Sequence, residues 1–508
     1  MTGTTAVTAG PTGLDAEADD VLAGRSSPED VCRFLTEVVP VTVATALAPL
    51  LPHGAGQVRA VVTRTTLRLG RKLTVGVELT GEAIGTRQAV LTWQPGSAPA
   101  PVPAALLARL SPSLRSPFSS LVPPPGPGDL TVLLAPVDPA FPHLVDVHDP
   151  ARVAPLLRCA GAPGFEDEVR VTALRYRPGQ RHVLLLESAD RQHRLFAKCY
   201  RDDSGRRALD AVSAVAQALS NGSAPATTAR AAGYVPSHRL VLWAGHDGIP
   251  LPRVLCAEGL SGGERQAHVR RAGAALRAIH DGEVHRCGVP VGAVRDGAVR
   301  DGAVRDGAHR PSGFLGSGRS DPAAEAAATR RATEHVRTLA PGAGARLDAL
   351  LAEAVAGLEA LPSESGHLLH GDYKGDNLLV DGERLVLLDF DRVSVGDPAA
   401  DLGKLLADLR WWAQVGGQVP APLVEAALDG YGPCPPGRVA RALHYGVVFQ
   451  LRAVGRRIPL HRPGWAPAVE ACLETTRAVA RAAARESAAG AAHPNARQTG
   501  RGPRGRSR

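Results

Sequence analysis

The sequence predicts an α+β fold, a strand-rich stretch followed by a larger, mostly helical half, with an additional α+β region in front of them. Three observations predict it. Residues 169–200, VRVTALRYRPGQRHVLLLESADRQHRLFAKCY, hold three strand-length runs with alternating apolar positions, the first two joined by a Pro-Gly turn. Beyond 200 the apolar residues recur mostly at helical spacing, as in RRALDAVSAVAQAL. Finally, LLHGDYKGDNLLVDGERLVLLDFDR at 368–392 sets two short apolar runs on either side of an Asp-Gly turn, a hairpin placed inside the helical half.

Taken along the chain, residues 1–28 are expected to be disordered and 29–160 to form the accessory N-terminal α+β region, with a Pro/Gly break, VPPPGPGD, at 122–129. Within it, VRAVVTRTTLRLGRKLTVGVELTGEAIGTRQAVLTW (58–93) reads as two strands around a Leu-Gly-Arg turn and a third strand after a longer loop. Its layout echoes 169–200, through an old duplication or because hairpins are common objects. Only the second copy carries a lysine on its third strand, LFAKCY against QAVLTW. The strand-rich part spans 161–245 and includes a further strand, HRLVLWA, at 238–244; the helical half spans 246–487 and starts its helices with RRAGAALRAIHD at 270–281. The pentad GAVRD occurs three times from Gly292 to Asp306, too polar and Gly-rich to bury a face, so 289–320 is read as a solvated loop insertion. Helices resume over 322–360 and again over 398–487. The tail 488–508 has five Arg and no acid and is read as disordered.

Composition excludes several function classes. The chain has 508 residues, 44% of them apolar, so a sizeable core is available. The net charge of +8 lies partly in the tail, and with 4% aromatics and no nucleic-acid module the reading is no nucleic-acid partner. Seven scattered cysteines without a CxxC pair argue against a zinc site or a disulfide framework. The N-terminus lacks the basic and apolar regions of an export signal. VVPVTVATALAPLLP at 38–52 carries three prolines and falls short of a membrane span. The expectation is a cytoplasmic protein with reduced thiols and no membrane partner. Only Lys72, Lys198, Lys374 and Lys404 are lysines among 58 basic residues, so each one stands out from an arginine background.

His370-Gly371-Asp372, Asn377 five residues after the Asp, and a strand ending Leu387-Leu388-Asp389-Phe390-Asp391 resemble the catalytic and metal-binding loops of the protein-kinase-like fold. The form HGDxxxxN, with Gly where protein kinases carry Arg, and the continuation GDPAADLGKLL at 396–406 resemble the aminoglycoside phosphotransferase family of small-molecule kinases. The resemblance covers roughly 165–485. It implies a two-lobed protein-kinase-like fold and use of ATP (or GTP) with Mg²⁺. Phosphoryl transfer asks a protein chiefly for positioning and charge neutralisation. Asp372 is the candidate catalytic base, a carboxylate that orients the acceptor hydroxyl, and Lys374, two residues on, stands by resemblance where protein kinases often carry a lysine near the γ-phosphate. Asn377 and Asp389 are hard oxygen donors of the type Mg²⁺ prefers.

Lys198 resembles the kinase lysine on the α- and β-phosphates, and Gly179, in the turn Arg177-Pro178-Gly179-Gln180-Arg181, is the candidate backbone contact to phosphate. Lys72, some 300 residues before the catalytic loop, does not fit the layout. The helix after Lys198 lacks the Glu the family places there; between Gly205 and His246 the one acid is Asp210, which either takes that place or leaves the lysine to something else. Asp397 reads as an N-cap before Pro398, Asp401 as a brace for the loop, His370 as an orienting residue, and Asp376 and Asp391 as solvated.

Asp389 and Pro398 are too close for an activation segment, so the expected acceptor is a small hydroxylated molecule. Residues 404–487 hold eleven basic against six acidic residues, which favours a neutral or anionic acceptor such as a sugar or polyol-like metabolite over a polycationic antibiotic. An aminoglycoside-modifying resistance kinase and a nucleotide-binding pseudokinase are the alternatives, and the oligomeric state is left open.

Overall fold

The structure, a computed structural model, describes residues 11–96, 101–124, 130–165, 168–222, 225–282 and 321–492. The GAVRD loop and the residues from 493 on, expected to be a solvated insertion and a disordered tail, lie outside the described residues. So do residues 1–10.

The N-terminal region opens with a helix, Pro11–Ala23, where disorder was expected. The correction has a plain cause: Ala18, Val21 and Leu22 fall on one helical face and are buried against the rest of the region. A helical run over Pro28–Leu50 follows, capped by Ser27, whose Oγ accepts from the Asp30 N–H at 3.1 Å. With 23 residues and a mean hydropathy of 1.5 this run is long and apolar enough to cross a membrane by length and composition. Its Val31, Phe34, Leu35, Val39, Val43 and Leu47 are nonetheless buried inside the protein. Next comes an antiparallel sheet, β1 (Arg59–Arg68), β2 (Lys72–Gly81), β3 (Gly85–Trp93) and β4 (Leu130–Leu134), in the order β1-β2-β3-β4. The link from β2 to β3 is short, because Gly81 pairs directly with Gly85. The longer loop lies between β3 and β4 instead. Helices Leu144–His148 and Pro150–Cys159 close the region.

The small lobe is built on β5 (Val169–Arg177), β6 (Arg181–Ser188) and β7 (Arg194–Cys199), then a helix over Ser204–Asn221, β8 (Ala226–Thr228), β9 (Ala231–Val235) and β10 (Leu240–Ala244). Five of these strands form one sheet in the order β5-β6-β7-β10-β9. β6 alternates half-buried and buried residues along its whole length, so one face meets the core and the other faces the cleft.

The large lobe contains β11 (Ile249–Pro250), the helices Gly262–His280, Pro322–Ala332 and Pro341–Ala360, then β12 (His367–Leu369), β13 (Leu378–Asp381), β14 (Arg384–Leu387) and β15 (Ser394–Gly396). It ends in the helices Pro398–Val415, Ala421–Tyr431, Pro436–Arg457 and Trp465–Ala492. The last helix runs on into residues assigned by sequence to the tail. β13 and β14 form the expected hairpin, and β14 also pairs in parallel with β8, which ties the segment between the small-lobe helix and β9 to the hairpin. The α+β two-lobed architecture is therefore as the sequence predicts.

The N-terminal region packs on both lobes. Phe141, Leu144, Val147, Val153 and Leu157 share a core with Val169, Leu184, Leu186, Ala197 and Leu242 of the small-lobe sheet. On the other side, Thr65 Oγ1 meets His461 Nδ1 of the large lobe at 3.2 Å.

Candidate active site

The loop that carries Asp372 is held from one helix. Pro398–Val415 is apolar on most sides, but Asp401, Lys404 and Asp408 fall three and four residues apart and share a face. Asp401 accepts from the backbone N–H groups of His370 (2.6 Å) and Gly371 (3.0 Å). Lys404 Nζ lies 2.7 Å from Asp372 Oδ1. Asp408 Oδ2 accepts from the Gly375 N–H at 2.6 Å. One polar stripe thus grips the loop at its start, middle and end. Gly371 adopts φ +73°, and a Cβ there would lie 2.1 Å from the carbonyl oxygen of Arg392. The loop accordingly has no room for the arginine that protein kinases place between His and Asp.

Asp372 sits between two ammonium groups, Lys404 on Oδ1 and Lys374 on Oδ2 at 2.9 Å. Burial pushes its carboxyl up, but the fields of Lys404 and Lys374 outweigh burial and hold it far below the usual carboxylate range. Burial in turn lowers the Lys404 ammonium, against the support of Asp372. His370 donates from Nε2 to the Leu388 carbonyl (3.0 Å) and accepts the Asp372 N–H on Nδ1 (3.3 Å), so its role is to orient the loop.

Asn377 donates its side-chain amide to the Asp372 carbonyl at 2.9 Å, and its Oδ1 is the end left for a cation. Its own carbonyl accepts the Leu388 N–H at 2.9 Å, across the open end of the β13–β14 hairpin. Asp389 follows directly, in the left-handed region at φ +64°. Asn377 and Asp389 therefore emerge side by side from the hairpin mouth. Among the described residues no group of three His, Cys, Asp or Glu side chains forms a metal cluster by itself. An Asn and an Asp are instead the sparse oxygen set that suits Mg²⁺ when phosphates and water complete its shell.

Lys198 points into the same cleft, with Nζ 2.8 Å from Asp389 Oδ1 and 2.6 Å from Asp391 Oδ2. Arg181 comes from the neighbouring strand to the other oxygen of Asp389 (3.3 Å) and to Asp391 (2.9 Å). Tyr200 donates to Asp391 Oδ1 at 2.8 Å. For Asp389 burial pushes upward and is overcome by Lys198 and Arg181, which leaves its carboxyl well below the ordinary range.

Several expectations need correcting. Asp210 does not meet Lys198: its side chain is 66% exposed and pairs with Arg206 one helical turn away. A short Asp on the solvent side of its helix cannot reach the cleft, and Asp391, expected to be solvated, holds the lysine instead. Asp376 is not simply solvated either; Arg457 bridges it (3.1 Å) to Asp408 beneath Trp411 and Trp412. Gly179 takes φ +70° in its turn, but its N–H donates at 2.7 Å to Asp138 of the N-terminal region, so it is not open to a phosphate in this arrangement. Asp397 caps its helix by accepting the Ala399 N–H at 3.0 Å, and it also pairs with Arg441. Sequence reasoning missed Arg181, Lys404 and Asp391. For Lys404 a signal was present, a lysine on the Asp401/Asp408 face in a chain with four lysines; Arg181 and Asp391 gave none, since Asp391 lies in the loop beyond β14, where no strand alternation applies.

A model of the phosphotransferase enzyme family matches residues 173–444. No curated protein matches the sequence. Among solved structures, the chain is similar to a choline/ethanolamine kinase family protein from Mesorhizobium loti, at 16% identity and a TM-score of 0.42, covering 67% of this chain and 98% of that one. It is similar also to an aminoglycoside phosphotransferase from Alicyclobacillus acidocaldarius, at 16% identity and a TM-score of 0.39, over 62% and 92% of the two chains. A third is an ethanolamine kinase from Plasmodium vivax, at 10% identity and a TM-score of 0.40, over 65% and 90%.

Proposed function

Because the chain belongs to the phosphotransferase enzyme family, we propose that it transfers the γ-phosphoryl group of ATP or GTP, bound with Mg²⁺, to a hydroxyl of a small sugar or polyol-like metabolite. The observation that carries this reading is the meeting of Lys198 and Arg181 with Asp389 and Asp391 on one side of the cleft and of Lys404 and Lys374 with Asp372 on the other. Asn377 and Asp389 would hold the metal, which when bound supplies charge neutralisation for the phosphates. Lys198 and Arg181 would turn from the carboxylates to the phosphate oxygens, and Asp391 would keep Lys198 in place.

Asp372 accepts a hydrogen bond from the acceptor hydroxyl and aims its oxygen in line with the γ-phosphorus. The new O–P bond forms as the bond to the β-phosphate oxygen breaks, and the hydroxyl proton passes to Asp372 late in the transfer. A carboxyl held so low is a weak base, which suits a loose transition state that needs orientation more than early proton removal. Lys374 and Lys404 then face the charge developing beside Asp372.

The acceptor side is cationic. Lys404 and the buried Arg452 both feel Arg392, and Arg452 feels Asp372 as well. That field favours a neutral or anionic acceptor over an aminoglycoside. Turnover of radiolabelled ATP with Mg²⁺ over a panel of sugars, sugar acids and amino alcohols tests the proposal. Acceptor-dependent transfer, lost in Asp372→Ala, is expected. Nucleotide binding with no acceptor-dependent consumption would favour a pseudokinase, and protection of a sensitive host against aminoglycosides would favour a resistance enzyme.

A further inference from the structure

We propose that Asp138, contributed by the N-terminal region, is a positioning residue of the nucleotide site, holding the turn between β5 and β6 so that Arg181 reaches into the cleft. The proposal rests on the reading above that this cleft binds a nucleoside triphosphate.

The turn is defined locally up to a point. Pro178 and Gly179 occupy its central positions, Gly179 has φ +70°, and the Gln180 N–H returns to the Arg177 carbonyl at 3.0 Å. This is a type II turn, which leaves the Gly179 N–H without a partner inside the turn. Asp138 Oδ2 takes that N–H at 2.7 Å and His182 Nε2 at the same distance, while Oδ1 accepts the Ala140 N–H at 2.9 Å. Asp138 is 2% exposed and His182 1% exposed. A carboxylate buried this deeply is costly unless donors surround it, so the three donors and the carboxylate depend on one another.

The grip extends to either side of the turn. Tyr176 donates its hydroxyl to the Val137 carbonyl at 2.5 Å, and Phe141 meets the edge of the His182 ring at 4.7 Å between centroids. Val137, Asp138 and Phe141 therefore hold Tyr176, Gly179 and His182 from outside the small lobe. Alternation along β6 sends His182 outward to this grip and its neighbour Arg181 inward to Asp389 and Asp391. A nucleotide loop rich in glycine would be free to move over its ligand. Here one glycine and an external carboxylate fix the roof of the cleft before ligand arrives, which lowers the ordering cost of binding.

The test uses the full chain, with mant-ATP and Mg²⁺ as the probe and hydrogen–deuterium exchange over residues 174–183 as a local readout. Wild type is expected to bind the probe and to protect the Gly179 amide without nucleotide. Asp138→Asn keeps the volume but loses the carboxylate; it should expose that amide and weaken mant-ATP binding by about tenfold, with KM for ATP rising more than kcat falls. His182→Phe, which removes one donor and keeps the apolar contact, should act in the same direction if Asp138→Asn does not fold. Arg152→Ala, which breaks ion pairs with Asp146 and Asp149 elsewhere in the N-terminal region, should lower stability and leave binding unchanged. Equal or tighter binding by both turn variants with wild-type exchange overturns the proposal. Failure of wild type to bind any nucleotide overturns the reading of the cleft itself, and this role with it.

Discussion

The ammonium of Lys404 lies 2.7 Å from Asp372 Oδ1, and that of Lys374 lies 2.9 Å from Oδ2, so the proposed base is a carboxylate pinned at both oxygens. Lys404→Met should lower kcat by about tenfold to a hundredfold, less than the loss of roughly 10²–10⁴-fold expected for Asp372→Ala. With the carboxyl held far below its usual range, the wild-type kcat profile should show no acid limb from Asp372 between pH 5 and 8. In Lys404→Met the carboxyl should move back up, because burial then faces one cation instead of two. An acid limb near neutrality in wild type would rule out this assignment.

Acid stability follows from the same two carboxylates. Asp372 and Asp389 sit lower in the folded protein than in the unfolded chain. As pH falls, the unfolded chain takes up their protons first, so their stabilisation is complete above about pH 5 and erodes below it. Melting temperatures measured between pH 6 and 3 should therefore fall on acidification. Asp389→Asn should flatten part of that slope, and a melting temperature that rises toward pH 3 would contradict the sign.

Asp391 and Asp210 separate cleanly by mutation. Asp391→Ala removes a partner of Lys198, Arg181 and Tyr200 and should raise the KM for ATP about tenfold or more. Asp210→Ala removes an exposed pair with Arg206 and should change KM by less than about twofold. Equal effects of the two substitutions would show that Asp210 does reach the lysine in the working enzyme.

Gly371→Ala combines a left-handed backbone with a contact of 2.1 Å to the Arg392 carbonyl oxygen. Relief requires moving the Gly371 backbone, next to Asp372, or the backbone at Arg392. The cost should be about 1–3 kcal/mol in stability and about a hundredfold in kcat, read by urea denaturation and steady-state assay. Wild-type activity in this variant would mean that the loop is far softer than its hydrogen bonds to Asp401 imply.

Arg441 is a structural counterpart, 2% exposed and bonded to Asp397 and to the carbonyls of Leu358 and Leu361. Arg441→Ala leaves Asp397 buried without a cation and should destabilise the protein by about 3–5 kcal/mol, measured by chemical denaturation. A loss below about 1 kcal/mol would mean that water compensates Asp397.

The helix at Pro11–Ala23 and the roles of Asp391 and Asp138 mark where the sequence was hard to read. A short helix with three inward residues resembles a polar leader until the surface that covers Ala18, Val21 and Leu22 is known. Asp391 looks like any loop acid until β7 brings Lys198 over it. Asp138 had no signal at all, because nothing in its neighbourhood names the turn, some forty residues later, that it holds.

Local chemistry was enough to define the two lobes, the β13–β14 hairpin and the residue types at 370–389, because periodicity, turn residues and short spacings are properties of neighbouring positions. The partner of Lys198, the second cation on Asp372 and the attachment of the N-terminal region to the β5–β6 turn were decided only by tertiary packing. Each depends on which buried charges from distant segments can neutralise one another, and that balance exists only once the segments have left water together.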